Sequence, residues 1–85
     1  SYNYYYKRMD YKFDNISIMN FIKTLVTYRG SSLRKLLYKL SQEKGCSNCY
    51  PSFYNKLKKN TIKFSEVKDI AESLGYEIVF KDVRQ

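Results

Sequence analysis

Residues 32–40 read SLRKLLYKL, and this stretch decides the fold. Leu33, Leu36, Leu37 and Leu40 fall at helical spacing, one stripe along a helix that turns once in about 3.6 residues, while Arg34, Lys35 and Lys39 lie off that stripe. A helix with one leucine edge and one cationic edge buries the first and wets the second. Ser31 or Ser32 supplies the oxygen that caps its start, and Gly45 accepts the left-handed conformation needed at its exit. The spacing therefore predicts a helix from Leu33 to about Lys44.

On the amino-terminal side, Ile18, Phe21, Ile22 and Leu25 repeat the helical period behind the capping types Asp14, Asn15 and Ser17. This predicts a first helix over Ile18–Tyr28, ended by Arg29 and Gly30. Residues 1–13, SYNYYYKRMDYKF, carry no helical period, and Tyr5, Met9, Tyr11 and Phe13 only partly alternate. Residues 1–15 read as a strand or a loose arm, with Lys7 and Arg8 as its candidate contact residues, and residues 16–85 as one folded domain.

On the carboxyl-terminal side, Cys46 to Pro51 is a turn whose proline suits only the first turn of a following helix. Phe53 and Leu57, four apart, bury one face of a helix over Tyr50–Lys59 and leave Ser52, Asn55, Lys56 and Lys59 outside. Asn60 breaks it, Ile62 and Phe64 drop into the core, and Val67, Ile70, Ala71 and Leu74 define a fourth helix closed by Gly75. Residues 76–81, YEIVFK, alternate as a half-buried strand does. A lone strand needs a ladder. It is expected to pair with the amino-terminal segment as a small wing, with its copy in a second subunit, or with both. The fold class is mainly α, four helices and a short C-terminal β-strand.

Eighty-five residues support one core, and the net charge of +8 predicts attraction to a polyanion. That excess is central. Residues 31–60 hold seven cations against Glu43 alone, whereas residues 61–85 are nearly neutral. The chain has no histidine, no glycine-rich phosphate loop and no nucleophile beside an identifiable base, so the reading is not an enzyme. The acids Glu66, Asp69 and Glu72 read as a solvated outer face. No cofactor or small-molecule ligand is indicated. No apolar run reaches membrane length and no apolar stretch of secretory type follows the first charges, so a soluble, cytoplasmic protein is expected.

Cys46 and Cys49 form Cys-x-x-Cys, half of a zinc site. Structural zinc takes four ligands, and neither a histidine nor a third cysteine is present, so a site within one chain requires carboxylates. A site shared by two chains and a redox disulfide before the third helix are alternatives; inert thiols are the expectation.

SLRKL at 32–36, FYNKLKK at 53–59 and FSEVKDIAESLGYEI at 64–78 together resemble the phage-repressor and Cro-like (XRE-type, lambda-repressor-like) helix-turn-helix family, in the short form found in Gram-positive bacteria and their mobile elements. The likeness covers residues 18–80, and its most specific part is IAESLGY at 70–76. The resemblance implies that Leu33–Leu40 is the first helix of the motif and Tyr50–Lys59 the helix that enters the major groove. The family joins these helices with about three or four residues. Here residues 41–48 add about a half dozen, which must lengthen the second helix or form a loop.

With that assignment, Tyr50, Ser52 and Asn55 occupy the positions that reach base edges, asparagine being able to pair with adenine through two hydrogen bonds. Ser32, Arg34, Lys35, Tyr54, Lys56, Lys58 and Lys59 are the phosphate contacts. The expected function is sequence-specific binding of double-stranded DNA by a homodimeric regulator of transcription, or of a plasmid or phage process such as replication control or DNA transfer. Ten tyrosines beside cations leave open an RNA or single-strand binder, provided aromatics are exposed on one sheet face. A mobile-element module directed at a host protein is the other alternative.

Overall fold

Each helix starts where its first free amides find acceptors, and the computed structural model, which describes residues 9–85, shows how this chain supplies them. The elements are α1 (Ile18–Tyr28), α2 (Leu33–Lys44), α3 (Tyr50–Lys58) and α4 (Phe64–Leu74). Ser17 Oγ accepts from the Asn20 amide at 3.1 Å to cap α1, and Ser32 Oγ accepts from the Lys35 amide at 3.2 Å to cap α2. At α4 the chain closes the end from inside the helix, where Glu66 Oε1 accepts the Lys63 N–H at 2.9 Å. No side chain caps α3. Cys49 stands at its N-cap and Pro51, which has no amide hydrogen to satisfy, fills its first turn.

The exits are as local. Gly45 (φ 70°) ends α2 and Gly75 (φ 82°) ends α4, both in the left-handed conformation that costs glycine little. Asn60 takes φ 58° just beyond α3, a conformation asparagine tolerates better than most residues.

The leucine stripe is the middle of the core. Leu33, Leu36, Leu37 and Leu40 are all buried, with Met19, Ile22, Leu25 and Val26 from α1, Phe53 and Leu57 from α3, and Ile70 and Ala71 from α4. α2 packs most extensively on α4, and α1 lies against α3. The protein is thus mainly helical. Among the described residues no helix is long and apolar enough to cross a membrane.

Three sequence expectations are corrected. First, Phe64 is the first residue of α4 and not a core residue ahead of it, because Glu66 ties the Lys63 amide and starts the helix there. Phe64 consequently stands on the surface, 60% exposed, while Ile62 does pack partly on the core. Second, residues 76–81 form no strand, and no strand occurs among the described residues. Tyr76 is held by its amide to Ala71 O at 2.8 Å, but no backbone hydrogen bond joins residues 77–83 to the rest of the described chain, so the ladder a strand requires is missing. Third, no wing forms among the described residues. Tyr11 does meet the other end of the chain, stacked on Tyr28 (4.8 Å) and edge-on to Tyr76 (5.9 Å), yet it does so through rings and not through backbone pairing. Lys7 and Arg8 lie outside the described residues. The extra residues of 41–48 fall as expected, Ser41–Lys44 lengthening α2 and Gly45–Cys49 forming a five-residue loop.

Candidate functional site

The orientation of α3 follows from Phe53 and Leu57, both buried, which turn the opposite side outward. That side presents Ser52, Asn55, Lys58 and Lys59, all exposed, and no acid occurs anywhere in residues 50–59. Asn55 sits about opposite the buried pair, at the crest of the helix.

The two flanks of α3 differ. On one flank Tyr50 and Tyr54, one turn apart with ring centroids 6.0 Å from each other, are half-buried and pack against the core cluster. Each carries a cation from a neighbouring helix. The Arg34 guanidinium of α2 lies 4.1 Å from the Tyr50 ring centre, and the Lys23 ammonium of α1 lies 5.7 Å from that of Tyr54. The result is a ridge of two aromatic rings edged by two positive charges beside the exposed face. Ser32, at the start of α2, uses its oxygen as the α2 cap, and Lys35 in the next turn is exposed.

On the other flank the charge is compensated. Lys56 Nζ donates to Glu66 Oε2 at 2.9 Å. That hydrogen bond and the carboxylate's charge raise the Lys56 pKa above its ordinary 10.5. Burial pushes the Glu66 carboxyl upward, but the Lys56 hydrogen bond and the Lys63 amide outweigh it and hold Glu66 below its ordinary 4.5. Lys56 is therefore not a free cation on the outer face, because Glu66, a residue of α4, lies within reach of it. Two cations of α2 are likewise engaged by α4: Lys44 pairs with Glu72 at 2.9 Å, and Lys39 donates to Ser73 O at 2.7 Å. Glu66 and Glu72 thus fasten helices together and are more than a solvated face; Asp69 forms no ion pair among the described residues.

Of the seven cations between residues 31 and 60, the side chains of Arg34, Lys35, Lys58 and Lys59 form neither an ion pair nor a hydrogen bond among the described residues. With Lys23 they are the uncompensated charge around α3. Lys23 did not stand out in the sequence. It is an ordinary outward lysine of α1, and only the packing of α1 on α3 brings it over Tyr54.

Cys46 is half-buried and Cys49 exposed, both as free thiols. They border a small cleft of about 60 Å³ shared with Ser52, Lys56, Glu66 and Asp69. Among the described residues no three groups of metal-binding type are arranged to hold an ion.

Comparison of the chain with protein-family models, with curated proteins and with solved structures finds no match.

Proposed function

We propose that this protein binds double-stranded DNA sequence-specifically as a homodimer, α2 and α3 acting as the two helices of a helix-turn-helix and α3 reading the major groove. The observation that carries the reading is the exposed, acid-free face of α3, with Asn55 at its crest and Lys58 and Lys59 at its carboxyl end. A helix in the major groove reads sequence through side chains near its start and is held by phosphate contacts around it. Ser52 and Asn55 take the first role. Lys58, Lys59, Arg34, Lys35 and Lys23 take the second.

The ring of Tyr50 is partly buried and covered by Arg34, so its part in base reading passes to the hydroxyl edge alone. Tyr54 stands similarly beneath Lys23, and stacked rings that fix cations beside a groove suit phosphate neutralisation better than base reading. The same partial burial removes these two rings as platforms on which single-stranded bases could stack. In a dimer the two half-sites lie about 34 Å apart, one helical turn of duplex. Regulation of transcription, or of a plasmid or phage process, is the role that such a module serves.

Selection of bound sequences from a random duplex pool tests the reading. A recovered consensus with two related halves supports it. Equal affinity for every duplex, with one common salt slope, reduces the protein to a nonspecific polycation. Binding to a protein that survives nuclease and about 1 M salt points to a host-protein module instead, because phosphate-driven binding weakens steeply with salt.

A further inference from the structure

Residues 76–83, YEIVFKDV, have the composition of a strand and no strand partner in the described chain. Their apolar side chains are open to solvent: Val79 is 72% exposed, Phe80 86% and Val83 80%. A short segment of this kind, with unsatisfied backbone and β-branched or aromatic side chains, is a template for strand addition. Its own sequence states what should be added.

In an antiparallel pair made from two copies about a two-fold axis, facing residues share one side of the ribbon, so the centre of symmetry must fall on a residue. With the centre on Val79, Glu77 of each copy faces Lys81 of the other, Ile78 faces Phe80, and Tyr76 faces Asp82. Glu77 and Lys81 thus each find an opposite charge, twice over, while Asp82 at the edge faces a tyrosine. Moving the centre by one residue destroys this. On Ile78 it sets Glu77 against Val79, and on Phe80 it sets Lys81 against Val79. Strand alternation separates the two faces. One carries Glu77, Val79 and Lys81; the other carries Tyr76, Ile78, Phe80 and, at its end, Asp82.

The second face is only partly turned towards the body, since Phe80 is 86% exposed. Tyr76 is half-buried with the Arg29 guanidinium 4.0 Å from its ring centre, Ile78 is less exposed than Val79, and the Phe80 ring stacks near Phe64 at 6.4 Å with 23° between planes. A two-stranded ribbon alone is marginal in water. Here Phe64, itself left on the surface at the start of α4, offers the apolar support beneath it.

We propose that residues 76–82 of two copies of this chain pair as an antiparallel two-stranded ribbon centred on Val79, with Glu77 of each copy facing Lys81 of the other. The proposal deepens the homodimer of the proposed function and is independent of DNA binding. Its test therefore contains no nucleic acid.

Sedimentation equilibrium of the full chain measures self-association in Glu77→Lys, in Lys81→Glu and in the double variant that carries both. Each single change places like charges opposite each other at both symmetric positions and should raise the dissociation constant about five- to tenfold. The double variant restores opposite charges and should return to near the wild-type value. Val79→Asp, which sets two carboxylates at the axis, should abolish the dimer. Because all three positions lie beyond α4, helical circular dichroism should stay at the wild-type level and report that the domain is folded. A chain that is monomeric up to about 1 mM, singles that associate like the wild type, or a double variant as weak as the singles would each overturn the proposal. If the dimer fails while selected duplexes still bind, only the pairing is lost; if the dimer stands while no duplex is preferred, only the DNA reading is lost.

Discussion

Lys56 and Glu66 form an ion pair of 2.9 Å between α3 and α4, so a lysine in the basic helix is neutralised by its own chain. Lys58 and Lys59, next along that helix, have no such partner among the described residues. Three lysines within four positions should therefore behave in two ways. Lys59→Ala should weaken binding to all duplexes alike and lower the salt slope by about one counterion-equivalent. Lys56→Ala should leave that slope unchanged and lower thermal stability. Salt titrations of the two variants check this; equal slopes would refute it.

Asn55→Ala should relax preference at one base pair, by about 1–3 kcal/mol if the amide pairs with an adenine, and leave overall fold and self-association intact, since the side chain is exposed at the crest of α3. Repeating the sequence selection with the variant reads this directly. A consensus unchanged at every position would remove Asn55 from the reading face.

Acid should loosen the attachment of α4. Glu66 and Glu72 are both held below the ordinary carboxylate value of 4.5, Glu72 by the hydrogen bond from Lys44, and Glu66 by its Lys56 and Lys63 partners against an opposing effect of burial. A carboxyl whose folded pKa is depressed contributes stability that is complete above its unfolded value and is lost as pH falls through the folded one. The thermal midpoint should thus hold steady above pH 4.5 and drop below it. Glu66→Gln should start lower and lose less on acidification. Lys44 and Lys56, raised above 10.5, predict the opposite sense in alkali, their contribution being complete below that value and lost above it.

Leu57→Ala removes a fully buried side chain from the contact of α3 with the core. The expected loss is about 2–5 kcal/mol, a large part of the total stability of so small a domain. Thermal melts followed by circular dichroism should show a partly or wholly unfolded population at room temperature. A midpoint within a few degrees of wild type would mean that α3 is held by something other than its apolar face.

The helices were legible because their causes are local. The leucines of α2 follow one period, Ser17 and Ser32 are capping residues by chemistry, and Gly45 and Gly75 mark exits. The start of α4 was less visible, although a glutamate three residues beyond Lys63 signals it, because lysine itself is not a capping type. The exposed face of α3 followed from Phe53 and Leu57. Which of its cations remain free did not, since Glu66 reaches Lys56, and Lys23 reaches Tyr54, only through packing between helices. The alternation in 76–81 is only a pattern, and a pattern of that kind becomes a strand only when a second strand is present.

Arg29 ends α1, yet its side chain belongs equally to α4: Nε donates to Leu74 O at 2.9 Å and one terminal nitrogen to Gly75 O at 3.4 Å. Two helix ends that ordinarily fray on their own schedules are thereby hooked to one another across most of the chain's length. Their amides should exchange with solvent deuterium in a single opening event, and shortening that hook with Arg29→Ala should let the final turn of α4 open without disturbing the rest.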